Sequence, residues 1–255
     1  MLLAAIRCEK GAVDENLGEH RRVLMEARDS GCALAVFPEM SLTGSIDPSR
    51  HPELLIALDD PAVAAMIALT AEIGVSAVFG ISERSERGDA YITQVVAEHG
   101  ELTGVQRKRH LGEGEEAYAA ADTDCLFDLE EARCAIAICA EAGVDRPFAY
   151  AEGAGARLVL FCAAPGLWGR RIDEASWRRG WEWWCTEGLG DARRHARERG
   201  LWIAIATQAG STRDEDFPGL AALVDPDGNV TAQLPDWRAG TLVVDVPLAT
   251  PRRPA

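Results

Sequence analysis

Three side chains of complementary chemistry stand where the hydrophobic pattern says strands stop. The run "AIAIC" closes on Cys139, with Ala140 and Glu141 directly after it. "ALAVF" gives way to Pro38 and then Glu39, and "LTGVQR" runs into Lys108. Proline has no N–H and ends a ladder, so Glu39 falls at the exit of its strand. Ligands of α/β sheets bind at the carboxyl ends of strands. A thiol becomes a nucleophile when a base takes its proton, and a carboxylate within hydrogen-bond reach is such a base. Attack of sulfur on an amide or nitrile carbon builds negative charge, which a fixed ammonium and a backbone N–H stabilise in a dry site. The acid can then protonate the leaving amine and activate water. Each residue also has an ordinary explanation. A buried cysteine is usually a small hydrophobe, an acid after proline a solvated loop residue, and "QRKRH" a basic exposed edge. Spacing alone does not decide between these and a convergent site.

The elements that must position the three residues alternate in type. "LLAAI", "ALAVF" and "VSAVFGI" read as buried strands. Between them lie a helix opened by Asp14 and Glu15 and stopped by Gly31, and a helix with Asp60 as N-cap, Pro61 at its first position and Gly74 after it. Two hairpins follow, around "EHGE" and "EEA". The α/β alternation then resumes with a short helix near Pro147, the strand "RLVLFC", one long helix from about Glu174 to Arg199 and the strand "LWIAIAT". A late hairpin turns on Asp227-Gly228 before the strand "TLVVDV". Buried strands separated by helices imply helix-covered sheets, and the hairpins make those sheets mixed. No linker rich in Gly, Ser or Pro divides the chain, so residues 1–255 read as one domain, with about 248–255 a loose tail.

The formal net charge of -15 argues against a protein that tracks nucleic-acid phosphates. Seven cysteines at irregular spacings include no C-x-x-C pair, so no zinc ribbon or thioredoxin motif is expected. The five histidines share no spacing and suggest no metal site. No phosphate-cradling glycine motif opens a helix, so no nucleotide cofactor is expected. No run is long and apolar enough to span a bilayer. "MLLAAIRCEK" lacks a basic n-region and a cleavage site, and a reducing, cytoplasmic setting is the expectation. Trp177, Trp181 and Trp184 recur on one helical face and read as packing residues. Trp168, in the loop "APGLWGRR" beyond a strand, reads as a candidate substrate contact.

The blocks "GCALAVFPEMSLTG", "QRKRHL" and "AIAICAEAGVDRP" resemble, in order and separation, the glutamate, lysine and cysteine blocks of the nitrilase superfamily, the carbon–nitrogen hydrolases. "GAGARLVLFCAAP" and "RRHARERGLWIAIATQAG" extend the likeness over nearly the whole chain. The resemblance implies a four-layer α-β-β-α sandwich with two mixed sheets, assembled as a homodimer or larger homo-oligomer. It implies Glu39 as general base, Lys108 as oxyanion-stabilising cation, Cys139 as nucleophile, and the Ala140 N–H as a second oxyanion donor. It further implies a second glutamate after the lysine block. Glu113, Glu115 and Glu116 are available, and Glu115 is preferred because it lies three residues before Tyr118. The triplet Cys-Ala-Glu departs from the Cys-Trp-Glu of true nitrilases and leans towards hydrolysis of a linear amide or N-carbamoyl substrate without a cofactor. Acyl transfer through the same triad, a true nitrilase and a catalytically silent binding protein are the alternatives.

Overall fold

Three parallel strands form the middle of each of two sheets. The structure is a computed structural model that describes residues 1–129, 132–166, 173–235 and 238–248. In the first sheet β1 (Leu2–Ala5), β2 (Leu34–Val36) and β3 (Ser76–Arg84) are parallel, and the hairpin β4 (Ala90–Glu98) and β5 (Glu101–Arg107) continues antiparallel from β3. In the second, β6 (Leu126–Leu129) pairs antiparallel with β7 (Ala132–Ile138). β7 is parallel to β8 (Leu158–Ala163), and β8 to β9 (Trp202–Thr207). A small hairpin, β10 (Ala209–Ser211) with β11 (Asp216–Pro218), follows β9. β12 (Ala221–Val224) and β13 (Val230–Gln233) then extend the second sheet antiparallel from β9, and β14 (Gly240–Val243) returns to pair antiparallel with β1. Each sheet is therefore one antiparallel strand, a parallel trio and an antiparallel pair.

Period-two side-chain alternation explains the layers. In β1, Leu3 and Ala5 enter one apolar core while Leu2 and Ala4 enter a second. In β8, Leu158, Leu160 and Cys162 join the first core while Val159, Phe161 and Ala163 enter a third. The first core is thus shared by the two sheets. The second lies under α1 (Val13–Asp29) and α2 (Pro61–Ile73), reached by Val23, Leu24, Val63 and Met66. The third lies under α3 (Arg146–Gly153), α4 (Glu174–Thr186) and α5 (Gly188–Arg199), reached by Phe148, Trp181, Trp184 and Ala192. Three cores separate four layers, the α-β-β-α sandwich. Burial on both faces is why the central strands are continuous apolar runs rather than alternating ones. Among the described residues no helix is long and apolar enough to cross a membrane.

Local signals act as expected in α2, where the Asp60 carboxylate accepts from the Ala62 N–H at 2.9 Å and Gly74 closes the helix at φ 78°. The expected helix from Glu174 to Arg199 is instead two helices, broken after Thr186. A Cβ on Gly188 would lie 2.1 Å from the Trp184 ring, so the break depends on a residue with no side chain.

Two antiparallel steps after β3 return β5 to the direction of β2, so Glu39 and Lys108 leave the same end of the first sheet. Cys139 and Ala164 leave β7 and β8 of the second. The sheets are tied at this end by a parallel bridge between Ile6 and Gln208, with the Ala209 N–H donating to the Ile6 carbonyl at 2.9 Å. The turn bearing Glu39 lies directly on β3: the Leu42 N–H donates to the Gly80 carbonyl at 2.8 Å and the Gly80 N–H to Ser41 Oγ at 3.0 Å. A Cβ on Gly80 would sit 2.2 Å from the Met40 nitrogen and 2.8 Å from the Pro38 carbonyl oxygen. Gly80→Ala is therefore expected to lift the Glu39 turn and destabilise the fold by about 1–3 kcal/mol, the usual range for overpacking. Urea unfolding measures this, and an unchanged midpoint would contradict the close approach.

Candidate active site

Glu39 begins the turn that follows the β2 exit, next to Met40, whose backbone has φ 50°. Its side chain is 1% exposed. The Lys108 Nζ donates to Glu39 Oε1 at 2.7 Å, and the Ala164 N–H donates to Oε2 at 3.0 Å. Behind the turn, Gln208 Nε2 donates to the Glu39 carbonyl at 3.0 Å and to Ser45 Oγ at 3.3 Å, while Gln94 Nε2 reaches the Phe37 carbonyl at 3.4 Å. His20 on α1 completes the support. Its Nδ1 lies 2.7 Å from the Asn16 carbonyl and must donate, so Nε2 accepts from the Ser41 hydroxyl at 2.9 Å. Burial pushes this imidazole down to about 4, which keeps it neutral.

Lys108 is fully buried. Its N–H donates to the Ile92 carbonyl at 2.8 Å and its carbonyl accepts from the Ala121 N–H at 3.1 Å, so the backbone on both sides is fixed. The ammonium also donates to Glu115 Oε1 at 2.6 Å. Glu115 is held in turn by the Gly112 N–H, 2.6 Å from Oε2, and its loop is anchored where Tyr118 OH donates to the Ile46 carbonyl at 2.7 Å. Glu113 and Glu116 are exposed. Glu115 is the one of the three glutamates that meets Lys108.

Cys139 opens the short 3-10 turn Cys139–Gly143 after β7, at φ 44°, and is partly exposed while the five strand residues before it are buried. Left-handed backbone at a non-glycine residue is uncommon and clusters at functional sites. The thiol lies where the charges of Glu39, Lys108 and Glu115 and the Ala164 N–H all act on it. Ala140 is the second residue of the turn, where N–H groups at a helix start have no partner within the helix. A Cβ on Gly112 would lie 3.1 Å from that of Ala140, so the glycine lets the Glu115 loop close over the turn. Trp168 lies outside the described residues, as do residues 249–255 of the tail.

The charges are interdependent. Burial alone would lower the Lys108 ammonium, but Glu39, Cys139 and Glu115 raise it well above the ordinary lysine value. At an effective dielectric of about 20, a charge contact at about 3 Å contributes roughly 5 kcal/mol, so two such contacts outweigh desolvation. Glu39 is raised by burial and by Glu115, against the pull of Lys108. Cys139 is raised by burial and by Glu39, against Lys108 and the Ala164 N–H. The resting pair is a neutral thiol beside a carboxyl of increased basicity, with an ammonium that does not give up its proton.

Sequence reasoning gave no role to Ala164, Gln94, Gln208 or His20, and none to Glu141 beyond its place in the Cys-Ala-Glu triplet. Trp181 and Trp184, read as packing residues, are buried in the third core. Among the described residues no group of three or more His, Cys, Asp or Glu side chains is placed to hold a metal ion.

A family profile described as carbon-nitrogen hydrolase matches residues 2–253. Among solved structures, the NitN amidase of Nesterenkonia sp. AN1 superposes with a TM-score of 0.83 at 23% identity, over 96% of this chain and 92% of that one. A glutamate-to-glutamine mutant of the Nesterenkonia sp. AN1 amidase, carrying the acetamide moiety of fluoroacetamide on its active site cysteine, gives 0.83 at 22%, over 97% and 90%. The glutamine-dependent NAD+ synthetase of Acinetobacter baumannii gives 0.78 at 19%, over 94% of this chain and 44% of that one. These likenesses show a shared fold. No curated protein matches the chain.

Lys108→Met would leave Glu39 buried beside Glu115 with no cation between them. Breaking a buried pair from one side destabilises by about 3–5 kcal/mol, and urea unfolding of the variant is expected to show a loss of that size. Adding Glu39→Gln to Lys108→Met should recover part of it; a double variant as unstable as the single one would contradict the ion cluster.

Proposed function

Because the chain belongs to the carbon-nitrogen hydrolase family, we propose that it hydrolyses a small linear amide or N-carbamoyl compound through a thioester on Cys139. Glu39 takes the thiol proton as sulfur attacks the carbonyl carbon. The oxygen that gains charge is stabilised by the Lys108 ammonium and the Ala140 N–H. Glu39 then protonates the departing amine, and the C–N bond breaks to leave a thioester. In the second half Glu39 takes a proton from water, the hydroxide attacks the thioester, and the acid leaves as the thiol is reprotonated. Glu115 holds Lys108 in place and keeps Glu39 basic.

The observation that carries this reading is a cysteine on a left-handed turn, under the charge of a buried carboxyl that itself holds a buried ammonium at 2.7 Å. A thiol and a carboxyl alone would suit many structural roles. A lysine enclosed with them, and fixed by two carboxylates, suits stabilisation of developing negative charge. The cysteine adduct in the Nesterenkonia amidase variant, on the same fold, supports the choice of nucleophile.

Incubation with a panel of small amides and N-carbamoyl amino acids is expected to release ammonia or amine and to leave an acyl mass on Cys139, detectable in the intact protein and absent from Cys139→Ala. Failure of every member of the panel to acylate that thiol would end this reading. A new amide formed only when a second amine is added would replace hydrolysis with acyl transfer.

The acid limb of kcat/KM reports the free enzyme's base. Burial and the Glu115 charge raise Glu39, so this limb is expected above the ordinary carboxylate range of about 4–4.5. Glu115→Gln removes a repelling charge and frees Lys108 to favour ionised Glu39, so the limb should move to lower pH even as the maximal rate falls. A limb that stays in place, or moves up, would contradict Glu39 as the titrating base.

A further inference from the structure

Glu141 takes no part in the chemistry above, yet it is 2% exposed and lies two residues past Cys139. Its carboxylate is gripped by backbone N–H groups from two directions. Oε2 accepts from Ile138, the residue before the nucleophile, at 2.8 Å. Oε1 accepts from Arg109 at 2.8 Å and His110 at 3.4 Å, the two residues after Lys108. One side chain therefore joins the exit of β7 in the second sheet to the exit of β5 in the first. Converging donors require an acceptor on both oxygens, which only the ionised form supplies fully. Burial pushes this carboxyl up, while the N–H donors and the Lys108 charge pull it back.

We propose that Glu141 is a positioning residue that sets the separation between the Cys139 sulfur and the Lys108 ammonium across the gap between the sheets. The proposal rests on the reading of Cys139 as nucleophile. β5 and β7 belong to different sheets, so no shared ladder fixes one exit against the other. Lys108 and Cys139 are each placed well within their own sheet, and their mutual distance needs a strut. Glu141 is short, charged and buried, and both its ends are tied to backbone. A displacement of about 1 Å at a reacting group costs about 100-fold in rate, so such a strut governs rate rather than substrate affinity. Glu141→Gln keeps the shape but turns an NH2 towards an N–H donor at one exit. Glu141→Asp keeps both acceptors but is one methylene too short to span the two exits.

Alkylation by iodoacetamide, mapped by intact mass and peptide analysis across about pH 6–10, tests this without a substrate. In Glu141→Gln, Cys139 is expected to react about tenfold more slowly at neutral pH. Its profile should shift upward, because Lys108 no longer lies close enough to favour the thiolate. The partly exposed Cys185 and the near-UV circular dichroism should match the unmutated protein. Glu141→Asp should fall between the two, and with an active substrate kcat should drop while KM holds. A folded Glu141→Gln with the unmutated Cys139 profile would overturn the proposal. So would slow alkylation that appears only with a collapsed near-UV spectrum and accelerated Cys185 labelling, since Glu141 would then merely hold the fold together. If no amide ever acylates Cys139 yet the alkylation profile shifts as expected, the hydrolase reading falls and the positioning role stands.

Discussion

A fully buried ammonium between two carboxylates is the constraint on which the rest of this molecule is arranged. Lys108 is one of the largest side chains with no exposure at all, in company with core phenylalanines and leucines. Isolated there it would lose its proton. It stays charged because Glu39 and Glu115 close on it at 2.7 and 2.6 Å. Glu39 has one oxygen committed to Lys108 and the other to the Ala164 N–H. The carboxyl therefore has a single orientation, and its charge acts on the Cys139 thiol. Enclosure of charge is unfavourable for folding taken alone, and it is also what makes a dipole or a cation effective against charge that develops during reaction.

The fold supplies that enclosure by bringing strand exits of two sheets to one end. Support comes from the backbone as much as from side chains. Gly80 has no side chain, so the Glu39 turn lies against β3; Gly112 is bare, so the Glu115 loop meets the Cys139 turn. Gln208 and His20 hold the Glu39 turn from two sides, one from the second sheet and one from α1. His195 on α5 holds the Ala142 carbonyl at 3.0 Å and stacks on Phe148, which fixes the far end of the Cys139 turn to the outer helices. All four layers thus contribute to the position of a few atoms.

Much of this was readable in the chain. Apolar runs bounded by capping and turn residues located most strands, and α2 carries its cap, its proline and its closing glycine where the rules place them. The long apolar runs were informative because both sheet faces are buried. Glu39, Lys108 and Cys139 stood out because each follows a run that has to stop. Their meeting was not readable from periodicity, since it depends on how two sheets face each other, and the likeness to ordered family blocks supplied that step. The break between α4 and α5 escaped notice because a Gly in a helical pattern is locally tolerated, and its reason lies in the Trp184 ring four residues earlier. Ala164 was invisible because it contributes an N–H, a group every residue but proline has. Glu141 was visible as a residue type but not as a strut, because the donors at its far end belong to a segment some thirty residues away.

The proposed reaction turns on the interaction between Lys108 and the oxygen of a bound acyl group. An atomic-resolution crystal structure of the protein trapped with a small amide, frozen before deacylation, observes it directly. Continuous density from the Cys139 sulfur to the acyl carbon, with the acyl oxygen within about 3.1 Å of the Lys108 nitrogen, is the expected result. An acyl group bonded elsewhere, or bonded to Cys139 with its oxygen turned away from Lys108, would contradict the placement of this ammonium as the group that receives the negative charge.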